Sequence, residues 1–338
     1  MSEIENRSRK VTSFDVARRA GVSRAAVSRA FTPNASVSAA TRAKVHQAAK
    51  DLGYRINYLA RSLTNQRSDF VGVVAAGLDN PFRSMQIEQI SRALLARNFR
   101  PVLLPTDTSG QTEIIAQLLH YAVSGVLVTS DAPPTSLCEE FANNGVPIVL
   151  INKGDDIPLV DRVVSDDQLG GQIAARTLIE GGARRPAVMA GTAISYTARR
   201  RVEAFTAHCD AMGVAAQLVP IVRNDYAHGF ASAASLQDSG IDGLFCINDY
   251  LACGVIDGLA AARQPRAAPL LRIIGHDDIP QASWGAYQLT TILQPCDQQA
   301  EQAIDLLTSR MADPTLAARV HLTPVSLGCV FDFGLAVG

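Results

Sequence analysis

The sequence predicts an N-terminal all-α helix-turn-helix head followed by an α/β body of two lobes, each a doubly wound parallel sheet. Three observations lead to this fold class. Short helices with capping residues and a glycine turn occupy the head, and apolar strands alternate with amphipathic helices from Phe70 onward. Basic residues also concentrate in the head. A chain of 338 residues is long enough for two or three domains.

The head contains three predicted helices. Helical spacing of apolar residues runs over 11–21, 24–31 and 39–52. Each helix begins at a residue that can cap it, namely Thr12 or Ser13, then Ser23, then Ser38. Gly21 ends the first helix and starts the short turn, so the first two helices form the helix-turn-helix. We expect Phe14 and Ala17 to share one side of the first helix.

The charge distribution sets the head apart from the body. Residues 1–69 carry 13 Lys and Arg against 5 Asp and Glu, whereas the remaining residues carry 18 against 27. A basic head on an acidic body predicts that only the head meets a polyanion such as DNA.

The body is predicted to contain strands that are each followed by a helix. This alternation indicates parallel sheets covered on both faces. Candidate strands lie at 70–76, 101–104, 125–129, 147–151, 186–190, 217–222, 243–247 and 271–275. Candidate helices lie at 82–98, 112–122, 168–180, 199–212, 230–239, 249–263 and 296–311. A further strand is expected before Asp166.

The second helix of the head has the residues of a DNA-reading helix. Arg24, Ala25 and Arg29 stand at its start and one turn later, where arginine can pair with guanine and alanine can meet a thymine methyl group. The hydroxyl groups suited to phosphates belong to Thr12, Ser13, Ser23 and Ser28. The alternative is a surface helix with incidental arginines.

Residues 11–63 resemble the DNA-binding head of the LacI/GalR (lactose-repressor) family of bacterial transcription regulators. The matching segments are VARRAGVS at 16–23, VSR at 27–29, VS at 37–38, TR at 41–42, LGY at 52–54 and ARSL at 60–63. The resemblance implies binding to a pseudo-palindromic operator as a homodimer. It also implies a hinge helix that meets DNA through Asn57, Ala60, Arg61 and Leu63, with Leu63 in the minor groove. The alternative for Leu63 is a linker residue that packs on the body.

The resemblance extends along the whole chain and implies a body similar to periplasmic sugar-binding proteins. We expect a head at 10–56 and a hinge at 57–69. The N-terminal lobe is expected at 70–165 with 293–325, and the C-terminal lobe at 166–292 with 326–338. Ligands of such folds bind at the carboxyl ends of strands.

Candidate effector residues therefore follow the predicted strands. In the first part of the body they are Asn80, Phe82, Ser130, Asp131, Lys153 and Asp166. Helix capping is the alternative for Asn80 and Asp166, and a solvated loop charge is the alternative for Lys153.

Other effector candidates come from the match to the family. By its register the match implies Arg201, Asn248 and Asp277 as effector residues, while Asp249 is expected to cap its helix. Tyr226 and Trp284 are candidates for aromatic walls of the cleft, with core burial as the alternative for Trp284. Arginine, carboxylate and aromatic rings suit a sugar or sugar derivative, and also a purine or nucleoside co-repressor.

The sequence lacks the motifs that would indicate other classes of protein. No G-x-G-x-x-G follows the first strand, no P-loop or G-x-S-x-G occurs, and the six histidines lack metal-ligand spacing. We therefore expect no enzyme, no metal and no cofactor. A transport-type binding protein would need an export signal, which the polar start does not offer. We expect a cytoplasmic protein with no membrane contact, whose six scattered cysteines are buried thiols.

Overall fold

A computed structural model describes residues 11–32, 35–55, 68–106, 122–129, 135–154, 156–192, 195–262 and 271–331. The chain divides by its own contacts into two units, 1–66 and 67–338, and each unit is described by itself.

The head unit is a bundle of three helices: α1 (Ser13–Ala20), α2 (Arg24–Ala30) and α3 (Ala39–Leu52). The Ser23 hydroxyl accepts from the Ala26 amide, and the Ser38 hydroxyl accepts from the Thr41 amide, so two predicted caps are present. Gly21 ends α1 with a φ of 66°, a left-handed conformation that glycine adopts without strain. The core of the head comprises Val16, Ala17, Val27, Ala30, Val45, Ala48 and Ala49.

Phe14 departs from the predicted inner face of α1. Its side chain is 60% exposed, and the guanidinium carbon of Arg24 lies 4.7 Å from the centre of its ring. A helix turns once in about 3.6 residues, so Phe14 lies nearly opposite Val16, which is fully buried. Val16 and Ala17 therefore define the inner face, and Phe14 packs with Arg24 on the surface.

The body contains two parallel sheets, which confirms the predicted fold class. The six-stranded sheet has the order β11-β5-β4-β3-β1-β2. Its strands are β1 (Phe70–Ala75), β2 (Arg100–Pro105), β3 (Gly125–Val128), β4 (Ile148–Ile151), β5 (Asp161–Ser165) and β11 (Val320–Thr323). The four-stranded sheet has the order β7-β6-β8-β9. Its strands are β6 (Pro186–Gly191), β7 (Gln217–Ile221), β8 (Gly243–Cys246) and β9 (Arg272–Ile274).

Helices cover both sheets and complete two lobes, which we name the first lobe (six-stranded sheet) and the second lobe (four-stranded sheet). The helices of the first lobe are α4 (Pro81–Ala96), α5 (Thr135–Asn143) and α10 (Cys296–Ala312). The helices of the second lobe are α6 (Asp167–Glu180), α7 (Tyr196–Ala211), α8 (Tyr226–Gln237) and α9 (Asp249–Ala261). A short 3-10 helix spans Pro280–Ser283.

The chain passes between the two sheets three times within the described residues: after β5, after β9 and after β11. The two later passages meet in an antiparallel pair, β10 (Ile292–Leu293) with β12 (Ser326–Leu327). Parallel strands end at one edge of a sheet, so the loops after these strands bring polar residues of both lobes towards this junction.

Two helices begin three or four residues earlier than the sequence predicts, because their capping residues lie further upstream. Helix α7 begins at Tyr196 instead of residue 199, since the Ser195 hydroxyl accepts from the Ala198 amide. Helix α8 begins at Tyr226 instead of residue 230, since the Asp225 carboxylate accepts from the His228 amide. The sequence prediction also omitted α5, β10, β11 and β12 and gave no bounds for β5. The predicted helix at 112–122 lies outside the described residues except for Ala122.

Asp161 anchors the edge of the first lobe through two arginines. Its buried carboxylate accepts from Arg310 on α10 at 2.8 and 2.9 Å and from Arg319 before β11 at 2.8 Å. Burial opposes the charged form, but the hydrogen bonds from these two arginines outweigh it and hold the pKa of Asp161 below its ordinary value. Among the described residues, no helix is long and apolar enough to cross a membrane.

Candidate functional sites

The exposed face of α2 carries the residues predicted to meet DNA. Arg24, Ala25, Ser28 and Arg29 are exposed, while Val27 and Ala30 bury the opposite face against α1 and α3. The Ser23 hydroxyl is exposed as well as capping α2. Thr12 is half-buried, and both its hydroxyl and its amide donate to the Asp15 carboxylate, at 2.7 and 2.9 Å. Ser13, the first residue of α1, is half-buried.

Arg42 supports this face from α3, a role that the sequence did not indicate. Its guanidinium donates to the Ala30 carbonyl at 2.7 Å and to the Ala35 carbonyl at 3.2 Å. These bonds satisfy a carbonyl at the carboxyl end of α2 and fix the segment after it. The four predicted hinge residues, Asn57, Ala60, Arg61 and Leu63, lie outside the described residues.

The body brings together two of the predicted effector residues, Arg201 and Asp277. Arg201 is 5% exposed on α7, and its Nε donates to the Asp167 carboxylate at 2.7 Å. Its Nη1 donates to the Ile247 carbonyl at 2.7 Å and lies 3.5 Å from Asp277 Oδ1. Asp277 is 4% exposed and follows β9. A buried guanidinium is therefore fixed at the end of the second sheet with one side turned to a carboxylate.

Asp277 occupies an unusual backbone conformation. Its φ is 126°, which L-residues rarely adopt, and that of Asp278 is 54°. The Asp277 amide donates to the Ile292 carbonyl at 2.7 Å, and the Ile279 amide donates to Asp249 at 3.0 Å. Such strain persists only where neighbouring bonds enforce it, and it concentrates at functional positions.

Asn248, and not Asp249, caps α9. Asn248 caps α9 by accepting from the Leu251 amide at 2.7 Å, and its Nδ2 donates to the Asn224 carbonyl at 3.1 Å. Asp249, expected as the cap, is fully buried and accepts from the Thr291 hydroxyl at 2.6 Å. The prediction for Asp249 was wrong because the residue that precedes the first helical turn has the geometry of a cap, and here that residue is Asn248.

Burial governs the protonation of the groups around Arg201. Burial raises the pKa of Asp167 even though Arg201 lies beside it. Burial, reinforced by the neighbouring Asp277 charge, also raises the pKa of Asp249. Burial and the Arg201 charge lower the pKa of His276 to about 4, so this imidazole is neutral near pH 7. Among the described residues, Asp167 Oδ2 and His276 Nε2 are buried atoms without a hydrogen-bond partner.

Four of the six effector candidates from the first part of the body lie among the described residues, and two of these four cap helices. Asn80 caps α4 by accepting from the Phe82 amide at 3.0 Å, and Asp166 caps α6 by accepting from the Leu169 amide at 2.9 Å, so the capping alternative holds for both. Phe82 is buried within the apolar cluster of the second lobe. Lys153 is 5% exposed, so it is not a solvated loop charge. Ser130 and Asp131 lie outside the described residues.

Tyr226 and Trp284 are grouped around Asp257. The Tyr226 hydroxyl donates to Asp257 at 2.6 Å, and that bond raises the pKa of Tyr226 to about 12. Trp284 is 55% exposed and stacks on Tyr287, whose hydroxyl also donates to Asp257. Trp284 is therefore not a core residue. The expectation of an aromatic wall over Arg201 and Asp277 gains no support from these contacts.

Tyr250, the second residue of α9, is an aromatic residue that the sequence prediction did not single out. Burial and the carboxylates of Asp79 and Asp225 raise the pKa of Tyr250. Its ring centre lies 6.0 Å from that of Tyr226. Its position directly after Asn248-Asp249 is the sequence signal that could have identified it.

A groove of about 370 Å³ is lined in part by α6 and α7 but not by Arg201 or Asp277, and its volume lies within the usual range for small-ligand sites. Ser165, Asp166 and Leu322 line it from one side, and Tyr196 and Arg200 line it from α7. Asp167, the partner of Arg201, is part of the same lining. Among the described residues, no cluster of three His, Cys, Asp or Glu side chains is arranged to hold a metal ion.

Comparison with known proteins yields matches over both units. Residues 14–57 match the model for bacterial regulatory proteins of the lacI family, and residues 68–270 match the model for periplasmic binding proteins and the sugar-binding domain of the LacI family. The chain is 32% identical to the ribose operon repressor of Escherichia coli K12 over 324 residues, which cover 93% of this chain and 97% of that protein.

Two solved structures share the fold. A LacI family transcriptional regulator from Enterococcus faecium with bound ribose has a TM-score of 0.71 and 27% identity, and the match covers 78% of this chain and 98% of that one. The lac repressor dimer bound to operator and the anti-inducer ONPF has a TM-score of 0.81 and 24% identity, and the match covers 97% of this chain and all of that one.

Proposed function

This chain belongs to the lacI family of bacterial regulatory proteins, and from that premise we propose which of its residues bind DNA and which bind a small effector. The prediction of a DNA-binding transcription regulator, and not an enzyme, is confirmed by this membership. We propose that the chain is a cytoplasmic repressor that binds a pseudo-palindromic operator as a homodimer. The domain limits given above are part of this proposal.

In the proposed DNA complex, α2 enters the major groove. Arg24, Ala25 and Arg29 meet base edges, because they share the exposed face whose opposite side is fixed in the core. The residues that bind phosphates are Thr12, Ser13, Ser23 and Ser28. Two heads on one operator multiply the small specificity of a single head. The hinge residues Asn57, Ala60, Arg61 and Leu63 complete the contact through the minor groove.

The proposed effector is a sugar or sugar derivative bound at Arg201 and Asp277. The observation that carries this proposal is the buried Arg201–Asp277 pair, whose charged groups lie 3.5 Å apart at the junction of the lobes. Guanidinium and carboxylate groups hold hydroxyls in fixed directions. The similarity to a ribose repressor and to a ribose-bound regulator supports the choice of a pentose as first probe.

Lys153, Asp166 and Asn248 stay in the proposed effector set as flanking residues, since each lies in a loop at a strand end. Asn80 and Phe82 act at the same junction as a helix cap and an apolar contact. The effector shifts the equilibrium between two lobe orientations and thereby weakens operator binding.

A purine or nucleoside co-repressor is the second candidate, because the same guanidinium and carboxylate can hold a nucleobase edge. A thermal-shift screen of the full chain separates the two: a ligand at 100 times its Kd stabilises the protein by about 2.7 kcal/mol. We expect stabilisation by D-ribose or a related sugar in wild type and in Arg199→Ala, and a clearly smaller stabilisation in Arg201→Lys at the same sugar concentration. Stabilisation by nucleobases alone would establish the second candidate.

A further inference from the structure

A continuous line of buried polar side chains crosses the junction between the lobes. We name it the polar relay, and its members are Gln86, Asn152, Ser165, Gln294 and Gln299. Among them, Gln86, Ser165, Gln294 and Gln299 are at most 3% exposed. Buried amides are costly unless they are hydrogen-bonded, so these positions are not occupied for packing alone.

Gln294 is the member that joins the two lobes. It follows β10, at the point where the chain returns to the first lobe. Its Nε2 donates to Asp277 Oδ1 at 2.5 Å. Its Oε1 accepts from the Ser165 hydroxyl at the end of β5 and from Asn152 Nδ2, the latter at 3.5 Å. One amide therefore links the carboxylate of the second lobe to two residues of the first.

The rest of the relay leads into the helices of the first lobe. Gln299 on α10 donates to the Ser165 hydroxyl at 2.6 Å. Its Oε1 accepts from Gln86 on α4 at 3.3 Å and from Asn152 at 3.4 Å. A change at Gln294 thus reaches β5 through one hydrogen bond, and α10 and α4 through the further bonds of Gln299.

Asp277 Oδ1 is already crowded with donors. Arg201 Nη1 lies 3.5 Å away, His276 Nδ1 lies 3.2 Å away, and Gln294 donates at 2.5 Å. A carboxylate oxygen has about two lone-pair directions, so a further donor to this same oxygen has to replace one of these. Arg201 is held by Asp167 and the Ile247 carbonyl, and His276 is the neighbouring residue in the chain. Gln294 is the donor whose remaining bonds, to Ser165 and Asn152, lie in the first lobe.

We propose that Gln294 is a positioning residue that couples the effector site to the first lobe. An effector hydroxyl replaces the Gln294 amide on Asp277, and Gln294 then bonds only to Ser165 and Asn152. Binding of the effector in the second lobe thereby changes the hydrogen bonds of the polar relay with β5, α10 and α4 of the first lobe. This inference rests on the proposed function, since it takes Asp277 as an effector residue.

The first experiment tests the relay without any ligand. Amide hydrogen exchange is followed by NMR on the full chain in wild type, in Gln294→Met and in the matched control Gln237→Met, an exposed glutamine at the end of α8. The Ser165 amide donates to Asn152 Oδ1 at 2.9 Å, so it reports on the relay. We expect its exchange to rise about tenfold in Gln294→Met and to stay unchanged in the control. Faster exchange confined to residues beside 294 would overturn the proposal.

The second experiment adds D-ribose as the probe. In wild type, we expect saturating sugar to change the exchange rate of the Ser165 amide by about threefold or more. In Gln294→Met, we expect the same amide to exchange at one rate with and without sugar. The D-ribose affinity of Gln294→Met is expected to equal or exceed that of wild type, because no bond to Asp277 has to break. Sugar binding that leaves the Ser165 amide unchanged in wild type would contradict the coupling while the effector site stands.

A failure of the proposed function can be distinguished from a failure of the inference about Gln294. If wild type does not bind D-ribose, the proposed probe is wrong, while the first experiment still decides whether the relay joins the lobes. Gln294→Leu serves as a second variant if Gln294→Met does not fold. It also removes both the donor to Asp277 and the acceptor for Ser165 and Asn152, so we expect the same rise in exchange at Ser165.

Discussion

The Nη1 atom of Arg201 lies 3.5 Å from the Oδ1 atom of Asp277, although 76 residues separate them in the chain. Arg201 comes from α7 and Asp277 from the loop after β9, so the second lobe must be folded for the two to meet. The Nε of the same guanidinium is bound to Asp167, which leaves only part of it available for a ligand. The pair therefore presents one donor group and one acceptor group in a fixed orientation.

Replacing Arg201 tests the effector site. In Arg201→Lys the ammonium group keeps a charge near Asp167 but loses the planar fork, so we expect the affinity for the effector to fall by about tenfold or more. Operator affinity without effector should stay within about twofold of wild type, since the head is unchanged. Titration calorimetry with D-ribose and a DNA-binding assay measure the two quantities. Arg199→Ala is the control, and equal sugar affinity in both variants would count against the site.

Replacing Arg29 tests the reading face of α2. Loss of one bidentate contact to a base costs about 1–3 kcal/mol of discrimination, so Arg29→Ala should weaken specific binding far more than non-specific binding. Competition between operator and random duplex, at one fixed salt concentration, measures the ratio. Arg18→Ala on the exposed side of α1 is the control. A uniform loss on both DNAs would identify Arg29 as a phosphate contact.

Asp161 tests the anchor of the first lobe. Asp161→Asn leaves Arg310 and Arg319 without their buried partner, and breaking a buried pair costs about 3–5 kcal/mol. Because the folded state lowers the pKa of Asp161, its contribution is present above about pH 4, the ordinary range of an unfolded aspartate, and is lost as pH falls further. Urea unfolding of wild type and variant at pH 7 and at low pH measures this. A difference between the two proteins that does not shrink with falling pH would contradict the assignment.

The free energy of unfolding also depends on pH through His276, in a higher pH range than through Asp161. Its folded pKa is about 4, whereas an unfolded histidine titrates near about 6.5. Between these values only the unfolded state takes up the proton, so the His276 contribution to stability decreases as pH falls from about 6.5 towards 4. We expect His276→Gln to lose less stability than wild type over this window in urea unfolding. Parallel pH profiles for the two proteins would show that folding does not lower the pKa of His276.

The strand and helix pattern of the body could be predicted from the sequence because each element carries its own signal. Strands of branched apolar residues and helices with nearby caps were found within a few residues of their observed bounds. The bounds of β5 and the strand β11 were missed, because polar residues such as Arg162 and His321 interrupt their apolar runs. Helix α8 was begun too late because the capping role of Asp225 depends on its bond to the His228 amide.

The candidate site was predictable only in part. Arg201 and Asp277 were indicated by the match to the family, and the structure brings them together. The polar relay was not foreseen, because nothing in the local sequence distinguishes a buried glutamine such as Gln299 from an exposed one. Which of Asn248 and Asp249 caps α9 depends on a shift of one residue in the helix start, and periodicity does not define that start so closely.

The most direct test of the account is the operator affinity of the full chain with and without sugar. The operator is obtained by selecting tight duplexes from a random pool, and binding is then measured at one salt concentration with and without saturating D-ribose. We predict that D-ribose weakens operator binding by about tenfold or more in wild type, and that Arg201→Lys requires about tenfold more sugar or more to respond. Sugar binding without any change in operator affinity, or a response at equal sugar concentrations in Arg201→Lys and wild type, would contradict this prediction.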